Sequence, residues 1–207
     1  MKKITLFISA LSLLSCAISR KVDYDSVRFD VPAFGKSIDI ASWDQREQVV
    51  SGARKPDFVG YTRSGAGIAY PMGTESGRPF TDIMSNDISV ALTQKGSKAS
   101  FVVTNSSDNE ENILKKMVKL GKDKLILINC KEFFTDGYGK NSLHYHLLVN
   151  VYSNDGTKLT QREFQGKREL GGTVMWGPGD YKKYMPEAFK RLVEEIFNDN
   201  EVVSALK

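Results

Sequence analysis

Alternating and continuous apolar segments make up much of the chain after residue 36, and they predict β-strands. Such segments cover residues 37–43, 58–61, 99–104, 124–133, 143–152 and 158–170. In an alternating strand, successive side chains point to opposite faces of the sheet. Residues 124–133 are apolar on both faces near their start, so we expect this strand to be central. The turn Asn154-Asp155-Gly156 predicts a hairpin between the last two strands, of which the second is polar and lies near an edge.

Three stretches carry apolar residues at helical spacing instead. The first helix is expected to begin at Arg78-Pro79, where proline is tolerated because its missing N–H would be unpaired anyway. The second is expected to begin with a capping box formed by Ser107 and Glu110, and the third to cover residues 181–198. Together the elements predict an α+β fold. We expect a two-layer domain, with a mixed or antiparallel sheet of about five or six strands packed against about three helices.

The N-terminus has the pattern of a secretory signal peptide. Lys2 and Lys3 precede an apolar stretch over residues 4–14, which is too short to span a bilayer because that takes roughly 20 apolar residues. The run Leu13-Leu14-Ser15-Cys16 resembles the lipobox of bacterial lipoproteins, since a cysteine directly follows a small residue at the cleavage point. The resemblance implies a thioether-linked lipid on Cys16, removal of residues 1–15 and acylation of the new N-terminus. The alternative is an ordinary signal peptide with a cysteine nearby by chance.

This interpretation divides the chain into three parts. Residues 1–15 are the expected signal peptide, residues 16–36 the lipidated N-terminus and its tether, and residues 37–207 a single α+β domain. A tether is expected because residues 17–35 show no long apolar pattern and contain the breakers Pro32 and Gly35. Two or three acyl chains would hold the protein firmly at a bilayer, whereas one chain binds only marginally. For a lipoprotein, Ala17 in place of an aspartate favours the outer membrane.

Composition and charge exclude some classes of partner. The net charge is +4 over 207 residues, without a basic run, so the chain lacks the electrostatic pattern of a nucleic-acid-binding protein. The two cysteines are Cys16 and Cys130. If Cys16 carries lipid, Cys130 has no partner within the chain. It ends an apolar run, so we expect a small buried side chain rather than a reactive thiol.

Candidate catalytic and metal-binding residues are few. The two histidines, His144 and His146, lie on one face of a predicted strand and could share a metal, but a site needs at least a third ligand. A solvated strand face is the simpler interpretation. Gly65-Ala66-Gly67 lacks the third glycine of a dinucleotide-binding loop, and the common hydrolase motifs are missing from the sequence. We therefore expect no metal, no cofactor and no enzymatic activity.

A glycine- and proline-rich loop at residues 173–178 contains large apolar side chains. Loops run over the protein surface, and tryptophan and methionine are enriched in the centres of interfaces. Met175 and Trp176 are therefore candidate partner-binding residues. The alternative is that Trp176 packs back onto its own domain, as aromatic residues in loops often do.

Several short motifs occur in an order that resembles the YajG-like family of bacterial outer-membrane lipoproteins. After the lipobox come Asp44-x-Arg46 at a strand end, Phe58-Val59-Gly60-Tyr61, Gly65-Ala66-Gly67, Arg78-Pro79 at a helix start, Ala91-Leu92-x-x-x-Gly96 and the final run from Asn198 to Leu206. The resemblance covers most of residues 37–206. It implies a compact α/β domain on a lipid anchor at the outer membrane, and it supplies no active-site residues. The chain departs from the family in longer polar loops at residues 135–141 and 173–179.

These observations predict a lipid-anchored protein of the bacterial cell envelope that acts as a non-catalytic binding or assembly factor. The anchor would raise its effective concentration near membrane partners. We expect membrane attachment through the lipid, an envelope protein partner and no nucleic acid. Two alternatives stay open. An auxiliary lipoprotein of an envelope lipid or ABC-type transport system would contain an apolar groove, and a cell-wall or lipid hydrolase would contain a pocket joining a histidine, a carboxylate and a nucleophile.

Overall fold

A computed structural model describes residues 20–137, 141–172 and 177–207, which form a curled mixed sheet with helices on both faces. The strands are β1 Lys21–Val22, β2 Ser37–Asp44, β3 Phe58–Arg63, β4 Ala69–Thr74, β5 Lys98–Val102, β6 Lys124–Asp136, β7 Ser142–Ser153 and β8 Lys158–Glu169. The helices are α1 Glu47–Val50, α2 Phe80–Gln94, α3 Glu110–Val118, α4 Pro178–Asn198 and α5 Asn200–Leu206. The predicted α+β class is confirmed.

Strand β6 is the centre of the sheet, as its two-sided apolar pattern predicts. Its first half pairs in parallel with β2, its last residues pair in parallel with β3, and β7 runs antiparallel along its other edge. Beyond these neighbours the sheet continues with β5 next to β2, β8 next to β7, and β4 and β1 next to β3. The long β6 therefore holds two separate groups of strands, β5–β2 and β1–β4–β3, on the same edge.

The predicted turns and caps have mixed outcomes. Asn154-Asp155-Gly156 joins β7 to β8 as expected, with Gly156 at a φ of 86°. The predicted capping box of Ser107 and Glu110 is wrong. Asn109 caps α3 instead, because its side chain accepts a hydrogen bond from the N–H of Asn112 at 2.8 Å.

Most apolar side chains meet on one face of the sheet, under α2 and α4. Four aromatic rings form the middle of this core, with Phe80 and Phe133 stacked at 4.1 Å between ring centres and Tyr24 and Phe189 packed edge-on against them. The opposite face carries a smaller cluster in which Ile113 and Met117 of α3 pack against the sheet. Helices were expected on one face only. The second face is also partly covered, because β2 and β6 have apolar residues on both faces.

Residues 20–36 belong to the packed domain, so the predicted tether over residues 16–36 is wrong for this part of the segment. Six of their apolar side chains are at most 8% exposed: Val22, Tyr24, Val27, Phe29, Val31 and Phe34. β1 pairs with β4, and the rings of Tyr24 and Phe29 meet the ring of Phe189 edge to face at 5.4 and 5.3 Å. The apolar residues are spaced two or three positions apart, which matches neither a helix nor a strand. Packing therefore begins four residues after Cys16.

Candidate functional site

The three predicted site residues, Cys16, Met175 and Trp176, lie outside the described residues. The structure does place the chain on either side of them. Arg20 lines a cleft beside β1 and β4. Before the 173–176 segment, the N–H of Leu170 donates to the carbonyl oxygen of Asn141 at 2.8 Å. After it, the carboxylate of Asp180 accepts a hydrogen bond from the N–H of Gly177 at 3.2 Å.

The cleft next to Arg20, here called the cationic cleft, has a volume of about 480 Å³. Its charged lining residues are Arg20, Lys21, Arg54, Lys55 and Asp57. Four of these five side chains are basic. The sequence gave no basic run here because the four residues come from two segments that are far apart in the chain and meet only when β1 pairs with β4.

Aromatic rings and one carboxylate hold the basic side chains of the cationic cleft in place. The guanidinium of Arg20 lies over the ring of Tyr70, 4.0 Å from its centre. Arg54 lies 5.5 Å from the ring centre of Tyr61, and its Nε is buried without a hydrogen-bond partner. Lys21 pairs with Asp57 at 3.0 Å. Within the described part of the chain, Lys21 is the one basic residue of the cleft with a carboxylate partner.

A buried ion pair fixes the loop that carries Arg54 and Lys55. Arg46 is 1% exposed and donates to both carboxylate oxygens of Asp44, from Nε at 2.8 Å and from Nη2 at 2.6 Å. Its remaining donors reach the carbonyl oxygens of Pro56 at 3.0 Å and Phe58 at 2.5 Å. Such a two-pronged, charge-assisted arrangement is strong and directional. The loop between α1 and β3 is therefore held by the interior of the domain.

Gly73 leaves space for the ion pair at the floor of the cationic cleft. A Cβ atom at this position would lie 2.8 Å from Oδ2 of Asp57 and 3.0 Å from Nζ of Lys21. The backbone N–H of Gly73 also donates to the carbonyl oxygen of Arg20 at 3.0 Å, which fixes the start of β1 against β4. A larger residue would separate the lysine and the aspartate or displace β1.

The two histidines lie on one face of β7, as predicted, but each has its own partner. The ring of His144 stacks on Phe134 at 4.8 Å between centres, and Nε2 of His146 lies 2.6 Å from Oε1 of Glu163. No group of three or more His, Cys, Asp or Glu side chains able to hold a metal is found in residues 20–137, 141–172 and 177–207.

Cys130 is buried, as predicted, and its thiol lies in the main core. Burial raises its pKa to about 12, despite the opposing effect of the nearby Arg46 charge. A thiol with such a pKa remains protonated near neutral pH and is a poor nucleophile.

Two further cavities lie along β8 and the C-terminal helices. One of about 560 Å³ is lined by residues that include Lys124, Thr160, Asn200 and Glu201. The other, of about 500 Å³, is lined mainly by polar and charged side chains of β8 and α4. Neither has the apolar lining expected of a groove that carries lipid.

No protein-family model matches the sequence, and no curated protein matches it. Among solved structures, the chain is similar to protein XCC0632 from Xanthomonas campestris, of the family DUF330, with 14% identity and a TM-score of 0.55 over 86% of this chain and 94% of that one. Looser matches include the lipoprotein GNA1162 from Neisseria meningitidis, with 16% identity and a TM-score of 0.36 over 81% and 96% of the two chains. Another is the PelC dodecamer from Paraburkholderia phytofirmans, with 9% identity and a TM-score of 0.41 over 86% and 94%. The first of these matches shows a shared fold.

Proposed function

We propose that this protein is a lipid-anchored lipoprotein of the bacterial cell envelope that acts without catalysis as a binding or assembly factor. The observation that carries the proposal is the lipobox-like run that ends at Cys16, directly behind a short apolar segment with two lysines before it. No helix in the described residues is long and apolar enough to cross a membrane. The lipid on Cys16 would supply the membrane attachment.

The order of motifs from Asp44-x-Arg46 to the C-terminal run supports a finer proposal, membership of the YajG-like family at the outer membrane. In the fold, this first motif is the buried ion pair that holds the α1–β3 loop. The motif therefore has a structural role, which agrees with a family for which no active-site residues are expected.

Intact-mass analysis of natively produced protein tests the anchor. We expect a mass that corresponds to loss of residues 1–15 together with the addition of a diacylglyceryl group and an acyl chain. A Cys16→Ser variant is the matched control, and it should be unlipidated and leave the membrane fraction. Unmodified sulfur at position 16 with the leader still attached would contradict the proposal.

We also propose Met175 and Trp176 as contact residues for an envelope protein partner. The anchored chain on both sides of residues 173–176 supports this, because an interface loop benefits from fixed ends that limit its loss of entropy on binding. Crosslinking of wild-type and Trp176→Ala proteins in native membranes, with a Leu159→Ala control at an exposed apolar residue of β8, provides the test. An unaltered set of crosslinked partners for a folded Trp176→Ala protein would end this assignment.

The alternatives receive less support from the geometry. A transport auxiliary that binds lipid in a groove needs an apolar cleft, whereas the cavities along β8 are lined by polar and charged residues. A hydrolase needs a nucleophile beside its acid–base pair. His146 and Glu163 form a close pair on a half-exposed strand face, but the nearest residues in the sheet register, Glu132 and Gln165, offer no nucleophile.

A further inference from the structure

We propose that the cationic cleft binds the head groups of anionic phospholipids and so holds the domain in one orientation against the membrane. The cleft residues that carry this proposal are Arg20, Lys21, Arg54 and Lys55. The location of the cleft at the membrane rests on the proposed lipid on Cys16. Its affinity for anionic head groups does not, because it follows from side chains of the folded domain.

The first argument is distance. Four peptide units separate Cys16 from Arg20, and an extended chain covers at most about 3.6 Å per residue, or about 14 Å here. Because residues 20–36 are packed into the domain, no longer tether is available. The backbone of Arg20 is itself fixed by the N–H of Gly73 at 3.0 Å. A lipidated Cys16 would therefore keep the cationic cleft within one short segment of the head groups.

The second argument is charge. The cleft presents four basic side chains against Asp57, which is already paired with Lys21 at 3.0 Å. Arg54 and Lys55 have no carboxylate partner among the residues described. The whole chain has a net charge of only +4, so this concentration of positive charge is local. Basic residues next to a membrane anchor are attracted to anionic lipids at close range.

The third argument is the aromatic surroundings of these charges. Tyr61 and Tyr70 are half-buried and lie under the guanidinium groups of Arg54 and Arg20. Tyrosine rings are favoured at the level of lipid head groups, where one end of the ring is apolar and the other is solvated. Arginine also suits a phosphate ligand, because its planar donors match the phosphate oxygens. The buried, unpartnered Nε of Arg54 is a donor available in the cleft.

Vesicle co-sedimentation of the mature, unlipidated chain tests the cleft independently of the anchor. The protein begins at position 16 and carries Cys16→Ser. It is mixed with vesicles of phosphatidylcholine alone or with about 30 mol% phosphatidylglycerol at about 0.1 M salt. Each basic residue near an anionic surface should raise partitioning about fivefold. Arg54→Gln with Lys55→Gln should therefore lower partitioning onto the anionic vesicles about 25-fold.

Two further variants separate the cleft from net charge and from misfolding. Lys98→Gln with Lys119→Gln removes the same charge from exposed residues near the start of β6, whereas the cleft strands meet the other end of β6. This pair should leave partitioning within about twofold of wild type. Lys55→Gln alone changes an exposed side chain and should cost about fivefold. Unchanged thermal midpoints establish that each variant is folded.

Three results would overturn the proposal. The first is equal partitioning onto both kinds of vesicle, and the second is an equal loss in the control pair. The third is calorimetric binding of inorganic phosphate without any dependence on phosphatidylglycerol, which would make the cleft a site for a small anion. Lipidation is measured separately by mass, so a failed anchor and a failed cleft give different results.

Discussion

At the scale of single residues, the buried pair of Arg46 and Asp44 carries the strongest energetic consequence. Arg46→Met should lower the free energy of unfolding by about 3–5 kcal/mol, because it leaves the Asp44 carboxylate buried without its partner. Arg46 is 1% exposed, and its loss also removes the donors to the carbonyl oxygens of Pro56 and Phe58. Urea unfolding followed by circular dichroism measures the change.

The matched control removes both charges. Asp44→Leu combined with Arg46→Met should recover a large part of the lost stability, since replacing a whole buried ion pair by apolar residues is often neutral. If the single and double variants were equally unstable, the carbonyl contacts at the α1–β3 loop, rather than the uncompensated carboxylate, would be responsible.

Asp87 predicts a pH dependence at the same scale. It is 5% exposed, and burial raises the pKa of its carboxyl to about 6, although the hydrogen bond from Asn86 and the charges of Arg28 and Arg78 oppose this, whereas Asp25 reinforces it. The folded state thus binds the proton more tightly than the unfolded state. The stabilisation is complete below the unfolded pKa near 4 and is lost as pH rises through about 6.

Asp87→Asn should therefore stabilise the protein at alkaline pH and not at acid pH. We expect a gain of about 1 kcal/mol at pH near 8, reduced from the full shift by solvent screening, and almost none below about pH 4. Thermal unfolding across this range measures it, with Asp108→Asn as the comparison. The pKa of Asp108 is lowered, chiefly by the N–H of Asn105, so this variant should lose stability at neutral pH. A gain for Asp87→Asn that did not change with pH would contradict the assignment.

Single residues also mark the limit of prediction from the sequence. The buried position of Cys130 followed from its apolar run, but that of Arg46 did not, because arginine is almost never fully buried without a partner that only the fold reveals. The cationic cleft was missed for a related reason. Its basic residues at 20–21 and 54–55 meet through the pairing of β1 with β4 and the position of the α1–β3 loop, which no local pattern shows.

At the scale of elements, the regular patterns were reliable and the irregular ones were not. The strands β2, β6 and β7 and the helix α2 begin and end close to the expected residues. β4 was expected only as part of a loop or loose hairpin, since Pro71 and Gly73 interrupt it. Proline is tolerated there because β4 lies near the edge of the sheet, with β1 covering only two of its residues.

The N-terminal segment gives the element-scale prediction. Phe29→Ala should lower the free energy of unfolding by about 3–5 kcal/mol, because the ring is 5% exposed and packs on Phe189. Arg28→Ala, one residue earlier and exposed, should change it by less than about 0.5 kcal/mol. Chemical denaturation of both variants measures the contrast. Equal, small effects would restore the idea that this segment is a tether.

At the scale of the whole molecule, the packing of residues 20–36 changes how the domain relates to a membrane. A tether of twenty residues would allow any orientation, whereas about 14 Å of chain between Cys16 and Arg20 restricts the domain to one face. The local charge of the cationic cleft then acts within about one Debye length of the lipid surface, where salt screens it incompletely. The anchor and the cleft should therefore act together.

Lengthening the segment before Arg20 separates these two contributions. Ten Gly/Ser residues inserted after Ser19 would extend the reach to roughly 20 Å. A fluorophore on Ser51→Cys, in the α1–β3 loop, reports distance to labelled head groups in nanodiscs that contain phosphatidylglycerol. Labelling is selective because Cys130 is buried and Cys16 would carry the lipid. In the unextended protein, energy transfer should be high at all salt concentrations, because the short chain alone enforces proximity.

In the extended protein, proximity should depend on the cleft and therefore on salt. Energy transfer should fall as ionic strength rises from about 0.1 M to about 1 M, because the Debye length shrinks from roughly 10 Å to 3 Å. Adding Arg54→Gln and Lys55→Gln to the extended protein should lower energy transfer already at about 0.1 M, whereas Lys98→Gln with Lys119→Gln should not. Low energy transfer in the unextended, lipidated protein would mean that the loop between α1 and β3 faces away from the bilayer, and the orientation derived from Arg20 would be wrong.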